Sequence, residues 1–297
     1  MDSVAFIGLG NMGAGMAANL AKSGANVRAF DLSDAALERA EAAGCRRAAS
    51  AAEAASTADV VITMLPAAAH VRAVWEGEVV PHARPGALLI DCSTIDVESA
   101  RHLGELAAKA GLRSADAPVS GGIAAADGGS LTFMVGCQDE VFSAVETTLA
   151  PMAKAVIHAG AAGAGQAAKI CNNMVLGISM IGVCEAFALA EKLGLQPERF
   201  FEIASKSSGQ CWSLTSYCPW PGPVAAAPSN RDYQGGFLTA LMVKDLKLAQ
   251  EAAARAGAAT PLGAQAEALF ALFEGLGHGA RDFSAILQLL RGRLAEL

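Results

Sequence analysis

Positive charge and aromatic rings are both scarce in this chain. Of its 297 residues, 22 are Lys or Arg against 29 Asp or Glu, and only 5% are aromatic. A formal net charge of -7 without a clustered basic patch argues against nucleic-acid binding, because neutralising phosphates needs grouped Lys and Arg. Short basic pairs such as Arg46-Arg47 read as solvated surface. Cysteine pairs at metal-ligand spacing are also missing. Cys45, Cys92, Cys137, Cys171, Cys184, Cys211 and Cys218 are odd in number and contain no CxxC, so neither a disulfide framework nor a zinc site is suggested. A reducing, cytoplasmic setting is expected, with the cysteines acting as small hydrophobes. No metal is called for. Long hydrophobic runs are absent too. The most apolar stretch, residues 174–184, is ended by Glu185 and falls short of the roughly 20 residues a membrane span takes, so it reads as a core helix. The opening run "VAFIGLG" breaks at Gly8 and reads as a strand rather than a secretory leader.

What the chain does have is apolar mass: 53% of its residues are hydrophobic, enough for about two domains. Strands are expected at residues 4–7, 27–30, 59–65, 87–91, 115–119, 131–135 and 156–157, with helices at 12–22 and 34–44. The runs "DVVITML" and "ALLID" hardly alternate, as expected of parallel strands covered on both faces, and the alternation of strands with helices predicts a doubly wound α/β sheet. The pattern changes near residue 162. Residues 164–193 lack proline and read as one helix about 45 Å long. Further helices are expected at 197–205, 239–255, 262–276 and 283–294. The Gly- and Pro-rich stretch 218–236 is too long for a simple connector, and such loops are usually functional or disordered. This gives a domain over residues 1–161 and an all-helical domain over 162–297, the latter opening with a long helix over 162–193.

Gly8-Leu9-Gly10-Asn11-Met12-Gly13 is a GxGxxG that follows a strand and opens a helix. Gly8 permits the tight turn, Gly10 the approach of a pyrophosphate and Gly13 close helix–strand packing, while the helix N-terminus offers N–H groups to the phosphates. The next strand ends in Asp31, placed to bind the adenosine ribose hydroxyls. A carboxylate there repels a 2′-phosphate and no Arg follows in "FDLSDAAL", so NAD is preferred over NADP; Arg28 matters only if it turns toward the site. Leu65-Pro66 and Ser93-Thr94 end later strands and are candidate cofactor neighbours, although Ser93, Thr94, Asp96 and Glu98 also fit a helix N-cap.

Three later patches look chemical. In Asp116-Ala117-Pro118-Val119-Ser120-Gly121-Gly122, backbone N–H groups and a hydroxyl suit a carboxylate, and a plain loop fits equally. Lys169 and Asn173 lie four apart on one helix face: a snorkelling surface pair, or a general acid/base with an orienting amide. Lys244-Asp245 in "LMVKDL" ordinarily means a solvated helix face.

The segments "FIGLGNMG", "DAPVSGG", "GAGQAAKICNNM" and "LMVKDL", in this order, resemble the 3-hydroxyisobutyrate dehydrogenase family of β-hydroxyacid dehydrogenases over nearly the whole chain. "SSGQCWS", "YCPWPG" and "DYQGGF" are similar to its 3-hydroxyisobutyrate branch, including relatives that oxidise L-serine. The resemblance implies a Rossmann domain, a long interdomain helix and an all-helical domain. It implies Lys169 as the catalytic lysine, Asn173 as a substrate amide and Ser120, Gly121 and Gly122 as the carboxylate seat. Lys244 falls near the nicotinamide, with Asp245 beside it. Leu65, Pro66, His70 and Thr94 fall on dinucleotide contacts, and Trp212 and Tyr217 on the substrate-pocket segment. The lysine-to-aspartate substitution of imine-reducing relatives is absent.

The implied reaction is NAD-dependent oxidation of a short β-hydroxyacid, 3-hydroxyisobutyrate to methylmalonate semialdehyde as in valine catabolism, with L-serine as the alternative. Lys169 removes the hydroxyl proton in this scheme. Its ordinary pKa is about 10.4, so the role requires a lowered value and predicts activity that rises toward alkaline pH. A non-catalytic NAD sensor is the alternative from another class. A homodimer or homotetramer is expected, and no membrane association.

Overall fold

The computed structural model describes residues 3–297, which divide by their contacts into two compact units, one ending at Lys169 and the other starting at Ile170. The division falls inside a helix, eight residues beyond the change of pattern in the sequence.

The first unit is built on a nine-stranded sheet. Its strands are β1 (Ser3–Ile7), β2 (Asn26–Phe30), β3 (Arg46–Arg47), β4 (Val60–Thr63), β5 (Leu88–Asp91), β6 (Arg113–Asp116), β7 (Val119–Ser120), β8 (Leu131–Gly136) and β9 (Ala153–Gly160). They lie in the order β3-β2-β1-β4-β5-β6-β8-β7, with β9 also paired to β8. β1 to β6 pair in parallel, β8 runs antiparallel to β6 and β7, and β9 is parallel to β8. The continuous apolar runs have the expected cause. Val4, Phe6, Val60, Ile62, Leu88 and Ile90 enter one core cluster, and Ala5, Ile7, Val61 and Leu89 enter another. Successive side chains leave opposite faces of a strand, so a strand covered on both sides must be apolar throughout.

The helices of this unit are α1 (Gly13–Lys22), α2 (Asp34–Ala42), α3 (Ala51–Ser56), α4 (Ala68–Val74), α5 (Val97–Lys109), α6 (Gly122–Asp127) and α7 (Asp139–Leu149). Asp96, rather than Ser93 or Thr94, caps α5 by accepting the Ser99 N–H at 2.8 Å. The single strand expected over 115–119 is two strands: they part at Ala117 and Pro118, and Pro118 has no N–H to give a ladder.

α8 (Ala164–Lys192) spans the division between the units. The eleven-residue apolar stretch lies inside this 29-residue helix, which is long and apolar enough to cross a membrane by length and composition. The shortness expected from the eleven-residue stretch is thus corrected. In this fold Met180, Ile181, Val183, Cys184 and Phe187 enter the core of the second unit. That unit continues with α9 (Pro197–Ala204), α10 (Trp212–Thr215), α11 (Thr239–Ala256), α12 (Pro261–Phe273) and α13 (Ile286–Leu290). Here the sequence overreaches: the helix expected over 283–294 is a 3-10 turn, Phe283–Ala285, followed by α13. The Gly- and Pro-rich stretch is ordered from within. Ser229 donates to the Cys218 carbonyl at 2.8 Å, and the buried Tyr233 donates its hydroxyl to the Pro219 carbonyl at 2.9 Å.

Candidate active site

The carboxyl ends of four neighbouring strands carry the residues singled out for a cofactor. In sheet order these are Asp31 after β2, Gly8 after β1, Leu65 after β4 and Thr94 after β5. The connections run one way from β1 through β2 to β3 and the other way from β4 to β5, so a switch point lies between β1 and β4, where open α/β sheets bind ligands. The turn is built for close approach. Gly8 holds φ at +95°, and a Cβ there would overlap the Met64 carbonyl and meet the Leu65 side chain. A Cβ on Gly13 would overlap the Gly8 carbonyl, whereas Gly10 is exposed with nothing within 4 Å of its Cβ position. Among the described residues no side chain caps the first turn of α1. Open space at Gly10 in front of an uncapped ten-residue helix fits a dinucleotide pyrophosphate.

Asp31 accepts the Leu9 N–H at 2.6 Å with one carboxylate oxygen and the Ser33 N–H at 2.8 Å with the other. Arg28 is turned to Glu53, 3.2 Å away, and Arg47 pairs with Asp34. Ser93 is fully buried and faces inward. Its hydroxyl donates to Asp91 at 2.6 Å and accepts the Leu65 N–H at 2.8 Å. Thr94 and Leu65 are half-buried; Asn11, Pro66 and His70 are exposed and Met12 is half-buried.

Lys169 is 6% exposed and Asn173 2%, which removes the snorkelling reading. The helix start that carries them is fastened to the sheet by groups whose role sequence reasoning missed. Asp116, at the end of β6, accepts the Gly163 N–H at 2.6 Å and the Gln166 N–H at 2.8 Å. Burial pushes the Asp116 carboxyl up to about 6, against the lowering effect of those N–H groups and with Asp91 adding to the rise. Gly165 lies so close to the sheet that a Cβ would strike the Met134 carbonyl. Ser120, half-buried at the end of β7, leads into Gly121 and Gly122 at the start of α6; both have positive φ, and no side chain among the described residues caps that start.

In the second unit, Asn173 donates its amide to Asp245 at 2.5 Å and accepts from the Asn172 amide at 3.0 Å. Asp245 is buried, not solvated, and its second oxygen has no hydrogen-bond partner among the described residues, with Lys244 Nζ 3.8 Å away. Trp212, half exposed, stacks on Tyr217 with centroids 4.9 Å apart, and the Tyr217 hydroxyl donates to the buried Asp282 at 2.7 Å. Asp282 was missed too; a Cβ on Gly236 would strike both groups, which accounts for one glycine of "DYQGGF".

Residues 3–160 match the family model described as the NAD binding domain of 6-phosphogluconate dehydrogenase, and residues 163–290 that described as NAD-binding of NADP-dependent 3-hydroxyisobutyrate dehydrogenase. A probable 3-hydroxyisobutyrate dehydrogenase of Mycobacterium tuberculosis is 48% identical over 293 residues, 99% of each chain. The chain belongs to the 3-hydroxyisobutyrate dehydrogenase family. Within that family, an NAD-dependent L-serine dehydrogenase of Pseudomonas aeruginosa is 46% identical, covering 97% of this chain and 98% of the relative. A solved structure of the Mycobacterium tuberculosis 3-hydroxyisobutyrate dehydrogenase with L-serine superposes with a TM-score of 0.95 at 48% identity, covering 98% of this chain and 99% of that one. The chain is an oxidoreductase acting on a CH–OH group, with an NAD-binding domain of Rossmann type followed by a helical domain.

Proposed function

We propose that this dehydrogenase oxidises the primary β-hydroxyl of 3-hydroxyisobutyrate to the aldehyde, giving methylmalonate semialdehyde in valine catabolism. The observation that carries the reading is Lys169, an amine buried near the start of α8 with the buried amide of Asn173 one turn further on. When bound, NAD+ would supply the two-electron acceptor for the hydride that leaves the carbinol carbon. Lys169 Nζ takes the hydroxyl proton, so the O–H bond breaks as the C=O bond forms; in reduction it returns the proton. The Ser120 hydroxyl and the N–H groups of Gly121 and Gly122 hold the substrate carboxylate, and Asn173, kept in place by Asp245, orients the hydroxyl. Lys244 would serve the nicotinamide end of bound NAD, and Trp212 and Tyr217 belong to the segment that would line the substrate pocket. Gly8 to Gly13, Asp31, Leu65, Pro66, His70 and Thr94 serve NAD, within a cofactor domain of residues 1–161; residues 162–297 serve substrate and self-association. We place the enzyme in the cytoplasm as a homodimer or homotetramer.

Replacing Lys169 with Ala should lower kcat by about 100- to 10,000-fold while NAD binding, read by fluorescence titration, stays within a few-fold. Near-normal turnover in that variant would sink the proposal. L-serine is the second reading, favoured by the similar identity to the serine enzyme and by the serine in the solved relative. Comparing kcat/KM for the two substrates by NADH absorbance decides between them, and absence of NADH with a panel of β-hydroxyacids would point instead to a sensor.

A further inference from the structure

We propose that Gln166 is a positioning residue that ties the lysine-bearing turn of α8 to the loop presenting Thr94 to the cofactor, an inference resting on the reading of Lys169 as the proton-transfer group. Gln166 is fully buried, and every polar group of its side chain that can bridge is used within the first unit. Its amide nitrogen donates to the Ser93 carbonyl at 2.8 Å, and its amide oxygen accepts the Ile95 N–H at 3.1 Å. One side chain thus grips the backbone on both sides of Thr94. Its own N–H is held by Asp116 at 2.8 Å, so the residue is fixed to β6 at one end and to the loop after β5 at the other.

The grip reaches further through Ser93. The Ser93 hydroxyl accepts the Leu65 N–H at 2.8 Å and donates to Asp91, which also accepts from Thr63 at 2.7 Å. The loops after β4 and β5, which carry Leu65 and Thr94, are therefore joined to each other and, through Gln166, to α8. Lys169 follows Gln166 by three residues, on the same side of the helix and about 4.5 Å further along its axis. A helix held at Gln166 can neither rotate nor slide without breaking both amide hydrogen bonds. This sets the position of Lys169 relative to the cofactor loops, and general-base efficiency depends steeply on such placement. A buried glutamine is otherwise an expensive way to fill space, since an apolar side chain of the same length needs no partners.

The test uses Gln166→Met, which keeps length and removes both hydrogen bonds, and Gln166→Glu, which keeps the acceptor but loses the donor when ionised. Lys169→Ala is run beside them, with kcat and KM measured across pH and unfolding followed by circular dichroism. Gln166→Met is expected to lower kcat by on the order of 100-fold, with KM for NAD and hydroxyacid within a few-fold and the pH dependence of kcat displaced. In Gln166→Glu, a protonated carboxyl restores donor and acceptor together, so its activity relative to the native enzyme should recover as pH falls. If Gln166→Met fails to fold, this pH-dependent recovery carries the test alone. Native kcat and pH profile in Gln166→Met beside an inactive Lys169→Ala overturn the positioning role and leave the lysine reading standing. An active Lys169→Ala overturns both. Activity in Gln166→Glu that stays at a fixed fraction of native at every pH also overturns the positioning role.

Discussion

Asp31 spends both carboxylate oxygens on backbone N–H groups, yet a carboxylate has about four lone-pair sites and each oxygen retains one for a ribose hydroxyl. Through Leu9 it also shapes the glycine turn, so the residue proposed to read the ribose is tied to the proposed phosphate seat. Arg28 and Arg47 are turned to Glu53 and Asp34. Such exposed pairs are worth at most about 1 kcal/mol, so a 2′-phosphate could draw the arginines away; what opposes it is the Asp31 charge. Native enzyme should therefore use NAD more efficiently than NADP. Asp31→Ala should weaken NAD by about 10- to 100-fold in kcat/KM, the equivalent of a hydrogen bond to a charged group, and narrow the gap to NADP. Equal efficiency with the two cofactors in the native enzyme would show that Asp31 does not discriminate.

At the scale of elements, the start of α8 depends on Asp116. Its folded pKa, about 6, lies above its ordinary value of 3.8, so the folded chain binds this proton more tightly than the unfolded chain. The stability this contributes is fully present below the unfolded value and is lost as pH rises through about 6. Asp116→Asn cannot titrate, and it sets an amide N–H₂ against one of two N–H donors, which should cost about 1–3 kcal/mol. Urea unfolding of both proteins should show the native advantage over Asp116→Asn shrinking between about pH 4 and pH 7. An advantage that is constant or grows over that range contradicts the assignment. The strands other than β3 and β7, together with α1, α2, α8 and α11, were legible because their signals are local: unbroken apolar runs, a glycine turn, an uninterrupted helical stretch; β3 was missed because Arg46-Arg47 carries no apolar run. Asp116, Gln166 and Asp282 were not legible, because their partners lie up to 73 residues away and nothing local marks them. The failed helix over 283–294 has the complementary cause. Asp282 accepts the Ser284 N–H and hydroxyl, ordering a 3-10 turn where apolar spacing alone suggested a longer helix.

For the whole molecule, the distribution of apolar surface argues for self-association through the second unit. Val175 is 61% exposed and Leu189 60%. With Gly182 they recur every seven residues on α8, so a small residue sits between two large apolar ones along a single stripe. Leu262 and Leu272 on α12 are also more than half exposed. Single exposed leucines are ordinary, but a repeated stripe on a helix this apolar is the kind of surface that a partner covers. A second copy of the chain carries the same net charge of -7, so net charge opposes association and apolar burial is expected to supply the attraction. Light scattering should give at least twice the 30.1 kDa of one chain, and raising salt should leave that mass unchanged or favour it. Val175→Glu combined with Leu189→Glu should move the mass toward one chain while each unit keeps its helical signal, because neither side chain enters the core. Dissociation by salt in the native protein would instead assign the contact to ion pairs, and a single-chain mass at every concentration would leave the stripe without a partner.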